Sequence, residues 1–262
     1  MKTLGILGFG VMGEAFARGV AASGAKIGLL AADPLASRRE AAETLGIRSV
    51  ADAGALASKS DIVLFAVKPQ SLPEVLEKHR TALAGKPVLS VAAGIPIRRY
   101  ASELHTVDVA RFMPNIAATR RQALVGVSVH PQAEPEFRER ALEIAGSVGI
   151  CMEVPEPQLS AVTGLCGSGI AYVFAFAHAM AMGGVHAGLP YDTALAMAAQ
   201  TMRGAVALLE EQGASAAHLL TRVTSPAGTT IEGIEALEQG GLTATVMHAV
   251  KRAADRAMEL ER

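Results

Sequence analysis

Thr3-Leu4-Gly5-Ile6-Leu7-Gly8-Phe9-Gly10-Val11-Met12-Gly13 stands almost at the start of the chain. An apolar run of strand length enters a G-x-G-x-x-G turn. Beyond it, residues 12–23 carry apolar side chains at Met12, Phe16 and Val20, one face of a helix. Strand, glycine turn and helix in this order lay a dinucleotide pyrophosphate on a helix N-terminus. The three glycines act separately. Gly8 permits the tight turn, Gly10 lets backbone approach phosphate, and Gly13 lets the helix cross close to the strand. The stretch therefore predicts an α/β fold that opens with a Rossmann-type doubly wound domain. The rest of the chain must meet the substrate.

Beyond this stretch strands and helices alternate. Residues 26–32 form the second strand. Residues 61–67, nearly continuous in apolar side chains, read as a buried parallel strand that Lys68-Pro69 breaks. Further strands are predicted over 88–91, 108–112, 124–130 and 147–154, with helices over 38–45, 72–83, 97–104 and 134–145. After Pro155-Glu156-Pro157 only helical runs follow, over 159–187, 191–212, 216–221, 229–239 and 242–260. This places a dinucleotide-binding domain at 1–157 and an all-α substrate-binding and dimerisation domain at 158–262. Several of these helices carry apolar residues on more than one face, which points to a homodimer sharing them. Residues 169–188 read as a helix buried between other helices at the subunit interface.

Composition removes several function classes. The 262 residues are 50% apolar and 19% charged with a formal charge of -1, and no positive stripe forms to meet nucleic acid. Two cysteines, Cys151 and Cys166, make no disulfide framework, so a reducing, cytoplasmic setting is expected. The glycine turn interrupts the apolar start too early for a signal peptide. The most apolar segment is broken by Gly, Tyr172, His178 and His186, so no membrane span is expected. Neither these histidines nor His105 and His130 have metal-site spacing.

Asp33 ends the second strand, where an acidic side chain accepts hydrogen bonds from the adenine-side ribose. Arg38 and Arg39 follow and suit a 2′-phosphate instead, so NADH and NADPH both stay open. Val67-Lys68-Pro69-Gln70 and Val91-Ala92-Ala93-Gly94-Ile95 leave the next strands at the ligand-binding end, where Gly94 would let a nicotinamide lie against backbone. In the helical half, Gly164-Leu165-Cys166-Gly167-Ser168-Gly169 puts three glycines into a helical run, each costing about 1 kcal/mol relative to Ala. Close approach of a ligand explains them, with Ser168 as a hydrogen-bonding group. Finally, Val223-Thr224-Ser225-Pro226-Ala227-Gly228-Thr229-Thr230-Ile231-Glu232 has capping-box spacing from Thr229 to Glu232, so a helix begins near Thr229. Its N–H groups with the hydroxyls of Ser225, Thr229 and Thr230 make a small-anion site fit for a carboxylate.

These segments, with Arg111-Phe112-Met113-Pro114-Asn115 and residues 163–172, occur in an order that closely resembles the pyrroline-5-carboxylate reductase family over nearly the whole chain. The resemblance implies reduction of the cyclic imine 1-pyrroline-5-carboxylate to L-proline with NADPH or NADH. It also implies a homodimer of interlocked helical domains, assembled further into a decamer. It assigns the substrate carboxylate to Ser225, Gly228 and Thr229, and the ring nitrogen to Thr230 as the catalytic group. Lys68, Pro69, Ala92 and Asn115 match the cofactor cleft, beside Gly8, Gly10, Val11, Met12, Gly13, Val67 and Gly94. In such a dimer the substrate loop is expected to face a bound nicotinamide. The chain departs from the family pattern at Val11 (usually Asn), Ile116-Ala117 (Thr-Pro), Cys166 (Ser), Ile170 (Pro) and Ala227 (Gly).

Alternatives are a reductase of a related imine, a β-hydroxyacid dehydrogenase or a nucleotide-sensing dimer without activity. No lysine stands between Lys86 and Lys251, where such dehydrogenases place their acid-base group.

Overall fold

The computed structural model describes residues 2–261. Its first half alternates: β1 (Thr3–Leu7), α1 (Val11–Ala22), β2 (Gly28–Ala32), α2 (Ala36–Thr44), β3 (Arg48–Val50), α3 (Ala53–Ala57), β4 (Ile62–Phe65), α4 (Leu72–Leu83), β5 (Val88–Ser90), α5 (Ile97–Leu104), β6 (Val109–Met113), β7 (Ala123–Val129), α6 (Pro135–Gly146) and β8 (Gly149–Glu153). The strands form one sheet in the order β3-β2-β1-β4-β5-β6-β7-β8, parallel except between β6 and β7. Strand order reverses between β1 and β4, the crevice at which doubly wound sheets take their ligands.

Side-chain alternation along the strands feeds two buried layers. Leu4, Ile6 and Leu64 pack on one face with Phe16, Val20, Phe112 and Ile144. Leu7, Val63 and Phe65 pack on the other with Leu72, Leu76, Tyr100 and Leu104. A sheet buried on both faces holds its strand ends rigidly, and those ends carry the loops of interest.

Two short elements leave no mark in the sequence pattern. Strand β3 has three residues and helix α3 five, too few to show a period. Helix α3 starts because the Asp52 carboxylate accepts the Ala55 N–H at 2.8 Å, and that bond holds its carboxyl below the usual range.

No strand follows β8 among the described residues. The chain continues as α7 (Leu159–Val162), a π-helical turn (Thr163–Gly167), α8 (Gly169–His186), α9 (Tyr191–Leu209), α10 (Ala216–Arg222), α11 (Thr229–Gln239) and α12 (Leu242–Leu260). The single helix expected over 159–187 is thus interrupted. By packing the chain makes two compact units, one running to Ser168 and resuming from Arg252, the other spanning Gly169–Lys251.

The second unit contains few buried side chains: Ala181, Ala194 and Ala198 are its core. A β-carbon on Gly184 would lie 2.8 Å from that of Ala194, so glycine lets α8 and α9 approach closely. The helix expected over 169–188 at a subunit interface is largely uncovered in the single chain. Only Ala181 of α8 is buried, and Phe174 is 62% exposed. The run Glu156–His186 is long and apolar enough to cross a membrane by length and composition.

Candidate active site

The glycine turn has a distinct geometry at each position. Gly8 has φ +94°, and a β-carbon there would lie 2.8 Å from the Ala66 carbonyl oxygen. A β-carbon on Gly13 would lie 2.1 Å from the Gly8 carbonyl oxygen, so α1 can start this close to β1 only through glycine. Gly10 differs: it caps α1 without a side-chain hydrogen bond, and a β-carbon there would meet nothing within 4 Å. Open space thus faces the free N–H groups at the start of α1, where Val11 is exposed and Met12 half-buried. These groups fit a dinucleotide pyrophosphate.

Asp33 is placed differently from the ribose expectation. Its Oδ2 accepts the Phe9 N–H at 2.8 Å and its Oδ1 the Leu35 N–H at 2.9 Å, and the side chain is buried. The carboxylate thereby braces the glycine turn. Arg39 donates to the carbonyls of Asp33 and Pro34 at 2.8 and 2.9 Å, while Arg38 stays exposed in the first turn of α2. No side chain caps that helix.

Val67, Lys68 and Pro69 follow β4, with Lys68 exposed before a 3-10 turn. Ala92 and Gly94 follow β5. Gly94 has φ +76°, and a β-carbon there would lie 2.7 Å from the carbonyl oxygen of Leu260. The C-terminal end of α12 thus gives Gly94 a packing reason of its own. Asn115, after β6, has both ends of its amide engaged. Oδ1 accepts the Ala117 N–H at 3.1 Å, and Nδ2 donates to the Cys166 carbonyl at 3.1 Å.

That second bond ties the strand end to the π-helical turn, a link the sequence did not disclose. Ser168 donates its N–H to the Thr163 carbonyl at 2.8 Å, the wide bond that defines such a turn. The glycine-rich segment is therefore a bulge in a helix, a geometry frequent at functional sites. Burial pushes the Cys166 thiol up, the direction opposite to that of an activated nucleophile.

In the second unit, α11 does begin at Thr229, yet the expected capping box does not form. The N-cap is Gly228, with no side-chain hydrogen bond across the helix end. A β-carbon on Gly228 would lie 2.2 Å from the Ser225 hydroxyl, so glycine is needed to seat that serine. Ala227 has φ +54°, left-handed backbone that explains why glycine is usual there. Ser225 and Thr229 are exposed and Thr230 half-buried. The result is an open helix start ringed by hydroxyls. Among the described residues no group of three His, Cys, Asp or Glu side chains could hold a metal.

Comparison with known proteins agrees with both halves. Residues 156–260 match the family described as pyrroline-5-carboxylate reductase dimerisation, and residues 3–94 match that of coenzyme F420-dependent NADP oxidoreductase. The pyrroline-5-carboxylate reductase of Methanosarcina acetivorans is 40% identical over 99% of this chain and 98% of its own length. Among solved structures, a pyrroline-5-carboxylate reductase from Coxiella burnetii superposes with TM-score 0.92 at 28% identity, covering 100% of this chain and 99% of that one. The Plasmodium falciparum pyrroline carboxylate reductase, solved with NADP bound, gives TM-score 0.88 at 25% identity, with coverage of 100% and 98%. The chain belongs to the pyrroline-5-carboxylate reductase family.

Proposed function

We propose, from membership of the pyrroline-5-carboxylate reductase family, that the chain reduces 1-pyrroline-5-carboxylate to L-proline with NADPH or NADH. It is then an oxidoreductase acting on a CH–NH bond. The observation that carries the substrate half is the start of α11, an exposed N-terminus with Gly228 as its cap and no side chain across it. Such an end attracts a carboxylate through free N–H groups and the helix dipole. Ser225, Gly228 and Thr229 would hold the substrate carboxylate, with Ser168 as a further hydrogen-bonding group. The Thr230 hydroxyl would bond the ring nitrogen.

A bound reduced nicotinamide supplies the hydride. Backbone at Gly8, Gly10, Val11, Met12 and Gly13 would hold its pyrophosphate. Val67, Lys68, Pro69, Ala92, Gly94 and Asn115 would line its path along the strand ends. The imine nitrogen is protonated, so C5 is electrophilic. Hydride forms the new C5–H bond, and the C=N electron pair returns to nitrogen as the lone pair of a neutral ring amine. The chain need only hold the reacting carbons roughly 3–3.5 Å apart and keep Thr230 on the nitrogen. This chemistry requires no His/Asp acid-base pair.

NADPH is the preferred nucleotide in this reading. Asp33 has both oxygens on backbone N–H groups, whereas Arg38 is exposed at the uncapped start of α2, suited to a 2′-phosphate. The homodimer would assemble into a decamer, since α9 and α12 expose Met197, Met247 and Leu260 besides the apolar side chains of α8. Two free cysteines favour the reducing cytoplasm.

The test follows the near-ultraviolet absorbance of reduced nucleotide with racemic pyrroline-5-carboxylate. Turnover with a higher kcat/KM for NADPH is expected. No substrate-dependent oxidation with either nucleotide overturns the activity, and turnover of another cyclic imine acid alone overturns the substrate.

A further inference from the structure

Among the described residues Arg111 is the largest fully buried side chain, 2% exposed, on the interior strand β6 beside Ser90 of β5. Its guanidinium meets two carboxylates far away in sequence. Nη1 donates to Glu156 Oε1 at 2.8 Å and Nη2 to Glu261 Oε1 at 2.7 Å. Glu156 opens the segment that matches the dimerisation family, and Glu261 directly follows it.

The Glu156 side chain and the backbone beside Glu261 border the two later parts of the loop stretch 91–97. Glu156 Oε1 also accepts the Ile97 N–H at 2.7 Å, capping α5 in place of Pro96, which makes no cap bond. Leu260, next to Glu261, packs its carbonyl on Gly94. At the other end of the loop, Ser90 Oγ accepts the Ala92 N–H at 3.1 Å and shares a 2.6 Å hydrogen bond with buried Tyr100. The loop is therefore held at its start, its middle and its end; Arg111 bonds the carboxylate that makes the last hold and that of the residue next to the middle one.

Stability alone does not account for this arrangement. A buried ion pair is a weak source of stability compared with well-packed apolar side chains, and the cross-strand neighbours of Arg111 are the uncharged Ser90 and Ser128. What an arginine gives that they cannot is a planar fork fixing two carboxylates in direction. A lysine ammonium is a point charge with no such plane, so it leaves their directions free. We propose that Arg111 is a positioning residue for hydride transfer, fixing through Glu156 and Glu261 the loop against which the nicotinamide lies. The proposal rests on the functional reading above, since Ala92 and Gly94 are assigned there to the nucleotide.

Arg111→Lys and Glu261→Gln test it in the full-length protein. Glu261→Gln keeps an oxygen for the guanidinium and guards against simple unfolding of the first variant. Three readouts are needed: backbone amide exchange, nucleotide Kd, and the primary isotope effect with nucleotide deuterated at the transferred position. In Arg111→Lys, amide exchange over 92–97 should accelerate while that of the β1–α1 turn stays put. There kcat should fall roughly tenfold or more, with nucleotide Kd within about twofold and a raised isotope effect, because small misplacements weigh heavily on transfer. Glu261→Gln should move each quantity the same way by a smaller factor.

Unchanged loop exchange in both variants overturns the clamp. A fall in kcat that tracks only the folded fraction, with the isotope effect unchanged, overturns the positioning role. Wild-type protein that binds nucleotide but reduces no imine acid would instead sink the functional reading and the catalytic half of the proposal. Amide exchange would still decide whether Arg111 holds the loop.

Discussion

The sheet unit and the helical unit bury their apolar side chains in different ways. Around the sheet, two continuous layers reach full burial within one chain. The helical unit buries three alanines and leaves Phe174, Phe176, Met180 and Met197 in the open. A patch of that kind marks an interaction surface, and the family match to a dimerisation segment over 156–260 says what it is for. The first unit is completed by its own sequence, the second by another copy of the chain. Small residues such as Gly184 and Ala194 allow close helix approach, so contact between chains must supply the large apolar groups.

The contrast breaks most sharply if the helical surface is charged. Phe174→Asp, at a side chain 62% exposed in the single chain, should convert the dimer to monomer and abolish imine reduction. Each interface of a twofold dimer carries the change twice, so dimer dissociation should rise on the order of a thousandfold or more. Light scattering reads the mass and nucleotide titration the first unit, whose affinity should hold within about twofold because its core is self-contained. A dimer that persists would show that Phe174 faces solvent.

Thr230→Ala separates substrate chemistry from nucleotide binding. Loss of one hydrogen bond to a nitrogen that carries charge should lower kcat/KM about 10- to 100-fold, with nucleotide Kd unmoved. Full activity would remove Thr230 from its assigned place. A smaller effect is expected at Arg38→Ala. The exposed guanidinium should contribute no more than about 1 kcal/mol, so kcat/KM for NADPH should drop up to about fivefold. The value for NADH should stay constant. Equal losses with both nucleotides would return Arg38 to a general surface role.

The same contrast explains what could be read from the sequence. Strands of the sheet announced themselves because two-sided burial writes near-continuous apolar runs, as at Ile62–Phe65, and the glycine turn named its own geometry. Three residues at Arg48–Val50 write no such run. At Asp33 the sequence named a carboxylate in the right place, but its two backbone partners depend on the folded turn. Thr229 and Glu232 had the spacing of a capping box, while the helix took Gly228 as its cap and left its N–H groups open. Spacing reports where a helix starts, not whether its end is closed. The links from Arg111 to Glu156 and Glu261, and from Asn115 to Cys166, join residues 45 to 150 apart, a range at which no local pattern exists.

The smallest expected effect lies at Ala227, in the helical unit just before α11. Its φ of +54° is a conformation that costs an L-residue about 1–2 kcal/mol, and glycine escapes that strain. Against this, glycine loses more chain entropy on folding, roughly 0.5–1 kcal/mol. Ala227→Gly should therefore stabilise the protein by about 0.5–1 kcal/mol or leave it level, seen as a slight rise in the midpoint of urea unfolding. Because Gly228 and not Ala227 caps α11, the helix end stays open in the variant, and KM for the imine acid should stay within about twofold. A clear loss of stability would mean that the alanine methyl makes a contact worth more than the strain. A large change in KM with stability level would place that methyl against the substrate, and the departure at Ala227 would then be a choice of substrate.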